Sequence, residues 1–398
     1  MRLLSFKISN IILFLFACAV FTQVACKKDS GVSNPVIQQV RLLDSTKRDS
    51  FFTSVLPGTT IVIQGHGFSG LLHVYFNDAD AAFNSALNSD NNIIITVPAD
   101  APTEATNPDV SNNIKVVTNH GEATFDFVLT APPPSVTGAS NEMALAGDQI
   151  TIYGNNFYII DKVVFPGNVE VTNFTVNDDA TAITLTVPAG VTSGPIQVVN
   201  KFGTGTSVFL FDDTTTGVLC NFDNVNNFSW GCPVSSDASA YPGGWGSFAQ
   251  MQFSGVPAND GAWWNWGRSL NTNSGTWVPS DHLSDPLSSY AVKFEIYVKQ
   301  PWSTGSFYIV KDYTWTYVGL YEPWKQKADF TTNGEWQTVT IPLDQFKTDN
   351  GTGNPPSTLA DLVGSGTGNI DIMFVNNTAT DVASFDAAVD NVRVVKIN

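Results

Sequence analysis

Two copies of one pattern lie in the first half of the chain, and they constrain the fold more than any other feature. Gly58-x-x-Ile61-x-Ile63-x-Gly65-x-x-Phe68 recurs about 89 residues later as Gly147-x-x-Ile150-x-Ile152-x-Gly154-x-x-Phe157. Segments 93–99 (IIITVPA) and 183–189 (ITLTVPA) match in nearly the same register. Ile114-Lys115-Val116-Val117 ahead of Gly121 likewise matches Ile196-Gln197-Val198-Val199 ahead of Gly203. A spacing this long is a tandem duplication of whole domains, not a short-period solenoid. In each copy the isoleucines alternate with polar neighbours, the period of a half-buried strand. The glycines that follow allow a turn returning Phe68 or Phe157 over the core. Runs of roughly four to seven such residues between Gly, Asn and Pro predict β-sandwiches.

Ahead of the repeat, Arg2 and Lys7 precede an apolar run that starts at Ile11 and ends near Val20. This reads as a secretory signal, too short to span a membrane. It ends in Val24-Ala25-Cys26, the pattern of a bacterial lipobox, in which cleavage leaves Cys26 to carry acyl chains. A plain signal ending by chance in these residues is the alternative. Residues 26–34 are polar, without hydrophobic periodicity, and read as a tether. Of the other cysteines, Cys18 leaves with the signal. Cys220 and Cys232 remain, either as a disulfide across a short loop or as two buried thiols. The net charge of −17 excludes a nucleic-acid partner, which needs a basic footprint.

The third segment, from residue 214, breaks the repeat. All ten tryptophans of the chain fall between Trp230 and Trp336. Spacer domains gain nothing from such concentration, whereas a sugar-binding face does: pyranose C–H patches stack on flat rings while the hydroxyls stay wet. Trp302 and Trp324, in turn-like sequence, are the leading candidates for ligand contact. Tyr313-Thr314-Trp315-Thr316-Tyr317 reads as a strand with its aromatics on one side, and Tyr321 follows in an apparent loop. If Trp263-Trp264-Asn265-Trp266 is extended, Trp264 and Trp266 share a face and Trp263 points away. Trp230 and Trp336 read as structural. The candidate ligand set is therefore Trp302, Trp324, Trp315, Tyr321, Trp264, Trp266 and Tyr313.

Catalysis finds little support. Glycosidases need two carboxylates about 5–10 Å apart, and the segment holds only Glu295, Glu322 and Glu335, with Glu295 in a solvated or cleft-lining strand position. His282 is its one histidine, and His66 and His73, in the first copy, read as solvated or capping. No cofactor motif is present. Asp223 and Asp390 are two weak candidates for a structural calcium, which takes about six to eight oxygens. A protein-binding adhesin and, further off, a glycoside hydrolase are the alternatives to a glycan-binding protein.

The repeated motif resembles the IPT/TIG immunoglobulin-like family, over residues 35–131 and 132–213, joined at Ala131-Pro132-Pro133-Pro134. The opening Asn221-Phe222-Asp223-Asn224, the strand from Trp336 to Phe346 and the closing strand around Val389-Asp390-Asn391 resemble a galactose-binding-like jelly roll over 214–398. The full order is similar to Bacteroidetes surface glycan-binding proteins of the xyloglucan-binding B type. That resemblance implies an all-β chain with signal 1–25, two immunoglobulin-like sandwiches and a C-terminal jelly roll. It also implies non-catalytic binding of a polysaccharide such as xyloglucan or β-glucan by the last domain. Its implied setting is the outer membrane, with lipid at Cys26 and a glycan transporter and glycosidases as neighbours.

Overall fold

A computed structural model describes residues 33–44, 46 and 50–397, and its regular secondary structure is almost all strand. The signal, Cys26 and most of the tether lie outside the described residues. The chain divides between Pro132 and Pro133 into two compact units.

The first unit is a sandwich of a three-stranded sheet (Val36–Leu42, Thr60–His66, Asn92–Thr96) and a four-stranded sheet (Ala79–Asp80, Leu71–Phe76, Asn113–Thr118, Gly121–Asp126). Ile61, Ile63 and Phe68 from the repeated motif sit in its core with Val74, Ile95 and Val116. The second copy repeats the plan with two four-stranded sheets around Ile150, Ile152, Phe157, Leu185 and Val198. The motif glycine is required for a close approach in both copies. A Cβ at Gly65 would lie 1.9 Å from the Val36 carbonyl oxygen and 2.7 Å from the Phe68 ring. At Gly154 the same atom would meet the Ser135 oxygen at 1.9 Å and the Phe157 ring at 2.5 Å. The repeat is thus a packing device: phenylalanine folds back over a backbone that has no side chain to obstruct it.

The second sandwich and the C-terminal domain form the other unit. The C-terminal domain packs a six-stranded sheet, centred on the long strand Val382–Lys396, against a five-stranded sheet. The five-stranded sheet runs in the order Phe228–Gly231, Ser269–Thr272, Ile370–Val375, Ser306–Lys311, Gly319–Tyr321. Every pairing within it is antiparallel.

A buried ionic network joins the second sandwich to this domain. The Glu142 carboxylate accepts from Lys293 Nζ at 2.5 Å and from Arg393 Nη2 at 3.0 Å. Arg393 also donates to both oxygens of Glu295, at 2.7 and 2.9 Å. All four side chains are almost fully buried. Removing one member strands a charge in low dielectric, so the network opposes separation of the two domains. Glu295 is therefore committed to an ion pair, and the solvated or cleft-lining position expected for it is corrected. Cys220 and Cys232 are free thiols, both buried, so the disulfide alternative is not realised. Burial pushes the Cys232 thiol up to about 12, which keeps it protonated and unreactive.

Candidate functional site

Alternation along the five-stranded sheet sends two sets of side chains to opposite faces. Phe307, Ile309, Ile372, Phe374 and Leu270 point inward to the main core. Tyr308, Val310, Met373 and Val375 point outward and form a smaller apolar cluster, on which Trp263, Trp315 and Leu320 pack. An outer face this apolar is unusual unless something covers it or it binds a ligand. Aromatic rings cover it here, and part of their own surface stays open.

The rings come from three separate places in the sequence. Trp230 is the third residue of the edge strand Phe228–Gly231 and is 39% exposed. Trp263 and Trp264 lie in a turn before Ser269–Thr272. Tyr313 and Trp315 lie in the connection after Ser306–Lys311. The ring planes of Trp230 and Tyr313 are 20° apart with centroids 6.4 Å apart, and those of Trp263 and Tyr313 are 20° apart at 6.1 Å. Trp230 Nε1–H donates to the Tyr313 hydroxyl at 3.0 Å. This bond ties the two near-parallel rings to each other. Trp264, 59% exposed, stands at 80° to Trp263. Trp315 lies half-buried between Trp263 and Tyr308, at 6.5 and 5.4 Å.

Local interactions fix each ring. The turn carrying Trp263 is held by an ion pair, Arg268 Nη1 to Asp260 Oδ2 at 2.8 Å. Asp260 also accepts the Ala262 N–H at 2.8 Å, and the Arg268 hydrogen bond keeps its carboxyl below the usual carboxylate range. Beneath Trp230 and Tyr313 two polar side chains sit on the outer face, fully buried: Asn271 and Asp371. Asn271 Nδ2 donates to the Trp230 carbonyl at 3.1 Å, and Asp371 Oδ2 accepts the Tyr313 N–H at 2.8 Å.

The structure redistributes the sequence candidates. Trp302 is 2% exposed and packs against Phe307, Tyr321, Phe374 and Phe385 in the core. Its indole N–H is spent on the carbonyls of Thr304 and Gly305, so the turn that seemed to expose it wraps around its edge. Trp324 is half-buried against the same core, its N–H donating to the Gly305 carbonyl at 2.7 Å. Tyr321 is half-buried with its ring on Phe294 and Trp302. These three are packing residues, which corrects their candidacy. Trp264, Tyr313 and Trp315 lie together on the outer face, and Trp266, 74% exposed, lies in the same turn as Trp264. The extended readings fail: 263–267 is a turn, and Asp312 and Tyr313 both adopt φ of +54° in a turn where a continuous strand was expected. Consequently Trp263 joins the platform, as does Trp230, both missed as ligand candidates. Trp336 is 5% exposed and structural, as the sequence suggested.

Asp223 and Asp390 do not assemble a calcium site by themselves. Asp223 is exposed and accepts the Ser247 N–H, whereas Asp390 is buried and accepts the Asn391 N–H. Burial raises the Asp390 carboxyl well above its ordinary value. Among the described residues no three His, Cys, Asp or Glu side chains gather as a metal site.

Comparison with known proteins accords with this geometry. Residues 211–396 match the family described as surface glycan-binding protein B xyloglucan binding domain, and residues 49–127 match the IPT/TIG domain. An IPT/TIG domain-containing protein of Bacteroides ovatus is 35% identical over 192 residues, covering 45% of this chain and 39% of that relative's length. The surface glycan-binding protein PbSGBP-B of Prevotella bryantii superposes with a TM-score of 0.66 at 22% identity, over 92% of this chain and 99% of that one. SGBP-B from a complex xyloglucan utilization locus of Bacteroides uniformis gives 0.51 at 21% identity, over 92% and 100%. At these identities the two structures establish a shared fold, and the family assignment rests on the sequence matches. Residues 211–396 belong to the xyloglucan-binding-domain family of surface glycan-binding proteins B, carried in one chain with an IPT/TIG domain.

Proposed function

We propose that this chain binds a polysaccharide of the xyloglucan or β-glucan type, without cleaving it, across the outer face of the five-stranded sheet. One observation carries the reading: Trp230, Tyr313 and Trp263 cluster on the outer face as near-parallel, partly exposed rings of the kind pyranose C–H faces stack on. Trp264 stands as a wall beside it, with Trp315 supporting from beneath and Trp266 at the rim. The family description supports the choice of glycan. Glu295, held by Arg393, is in no position to act as half of a catalytic pair. Three stacked rings at about 1.5 kcal/mol each, with a few wet hydrogen bonds, give about 5–6 kcal/mol, or a Kd near 0.1 mM.

The lipobox at Cys26 and the family's character support a cell-surface lipoprotein of the outer membrane, working beside a glycan transporter and glycosidases. The domain plan in this reading is signal 1–25, tether 26–34, spacer sandwiches 35–131 and 132–213, and binding domain 214–398. The test is calorimetric titration of the mature chain with xyloglucan and mixed-linkage β-glucan. Trp263→Ala should weaken binding about tenfold or more, the loss of one central stacked ring. Unchanged affinity in that variant, or release of reducing ends by the wild type, overturns the reading.

A further inference from the structure

Resting on that reading, we propose that Asn271 and Asp371 are the positioning residues of the platform, a carboxamide–carboxylic acid pair whose shared proton locks Trp230 and Tyr313 in place. The two residues are direct partners on adjacent antiparallel strands, on the same outer face, both fully buried. Such partners have Cβ atoms about 4.5–5.5 Å apart, within reach of one hydrogen bond between short side chains. Asn271 spends its N–H groups on the Trp230 carbonyl and the Ser269 hydroxyl, at 3.1 and 2.8 Å. Its Oδ1 is buried without a donor. A lone buried acceptor is destabilising, so a donor is expected there. The residue across the strand pair is a carboxyl, which supplies that donor only when protonated.

Tyr313 gives the arrangement its purpose. A tyrosine at φ +54° is strained and persists only where its surroundings hold it. The hold is the bond from its N–H to Asp371 Oδ2 at 2.8 Å, which the neutral acid accepts through its carbonyl oxygen. Asn369 Nδ2 supports the other oxygen at 3.3 Å. The ionisable or charged groups around Asp371 are Asp312, paired to Lys311, and the phenols of Tyr313 and Tyr308. The strands Phe228–Gly231 and Ser269–Thr272 contribute none. Burial, then Asp312's like charge, raises the Asp371 carboxyl to about 7, although the N–H and phenol of Tyr313 and the Asn369 amide pull the other way. Ionisation above that pH sets a carboxylate against the Asn271 oxygen and loosens both rings.

The sign follows from linkage. The native state holds a proton that the unfolded chain, with an ordinary carboxyl, gives up. The stabilisation is full below the ordinary carboxyl pKa and is lost as pH rises through about 7. Glycan that stacks on the locked rings binds the protonated form more tightly and so raises the Asp371 carboxyl further, which means that binding takes up a proton. Affinity should fall by about tenfold for each unit of that extra shift as pH rises from about 6 to about 9.

The experiment has two readouts on the mature chain and on Asp371→Asn, in which the amide donates to Asn271 and accepts from Tyr313 without titrating. Near-UV circular dichroism of the free protein should titrate near neutrality in the wild type and stay flat in the variant. Xyloglucan affinity should fall with pH in the wild type and be pH-independent in the variant. Asp371→Leu should lose affinity at every pH. A wild-type spectrum flat across neutrality, or the same titration surviving in Asp371→Asn, overturns the proposal. A spectral titration confined to the wild type without binding of xyloglucan or β-glucan supports the pair and instead overturns the glycan reading.

Discussion

Both sides of the five-stranded sheet carry tryptophan, but the rings are arranged for different work. On the inner side Trp302 meets Tyr321 at 70° and Phe385 at 85°, edge to face, with centroids 5.1–5.6 Å apart. Its N–H is absorbed by the loop it closes. On the outer side Trp230, Tyr313 and Trp263 lie with neighbouring planes 20–36° apart, and the Trp230 N–H joins one ring to the next. Edge-to-face packing fills a volume in three dimensions. Near-parallel packing at the surface leaves ring faces and edges partly open to a ligand. The largest expected effect breaks this comparison at its inner side. Trp302→Ala should cost about 3–5 kcal/mol of stability, since a fully buried indole leaves a large cavity. Molecules that remain folded should keep their glycan affinity, because the outer rings do not touch that cavity. A denaturant titration paired with binding well below the midpoint checks both, and a tenfold loss of affinity in the folded protein would erase the distinction.

Trp230→Phe sharpens the comparison at the outer side. The substitution keeps an aromatic ring on the edge strand and removes the N–H that ties it to Tyr313. A neutral hydrogen bond contributes about 0.5–1.5 kcal/mol, so affinity should fall about fivefold while stability changes by less than about 1 kcal/mol. Calorimetry on the two proteins reads the first change and thermal melting the second. An affinity equal to wild type would mean that the N–H bond does not shape the platform.

These two tryptophans also mark where the sequence stops being informative. The two immunoglobulin-like sandwiches were legible because their signal is local: paired isoleucines, a glycine and a returning phenylalanine all act within a dozen residues, twice over. The exposure of Trp230 is not local. In a regular strand it shares a face with Phe228, which packs on the core. A register shift between them turns Trp230 to the other face. Gly231 follows at φ +127°, with a Cβ position only 2.1 Å from the Ser269 oxygen, which is the one trace of this bulge in the sequence. Trp302 misled for the converse reason: turn composition predicts an exposed loop, but the loop folds over an indole that also packs on Phe374 and Phe385, from strands distant in the sequence. Tyr313 sits in a turn without the Gly or Asn that such dihedrals favour, so its segment read as a strand. The signal available for the missed support was Asp371 itself, a charge inside the apolar run Ile370-Asp371-Ile372-Met373.

The smallest expected effect tests whether exposure alone makes a binding residue. Trp266 is the most open tryptophan of the exposed set at 74%, and it shares a turn with Trp263 and Trp264. Yet no aromatic neighbour among the described residues orients it, whereas Trp263 is braced by Trp230, Tyr313 and Trp315. An unbraced indole loses rotamer freedom when it closes on a sugar, and that entropy, about 0.5–1.5 kcal/mol for an immobilised side chain, offsets most of what one stack contributes. Trp266→Ala should therefore change affinity by about twofold or less, and stability by under about 0.5 kcal/mol, as for a surface position without partners. Side-by-side calorimetry with Trp263→Ala decides the matter. If the two variants lose equally, preorganisation is not what separates a platform ring from a merely exposed one, and the near-parallel arrangement would owe its affinity to area alone.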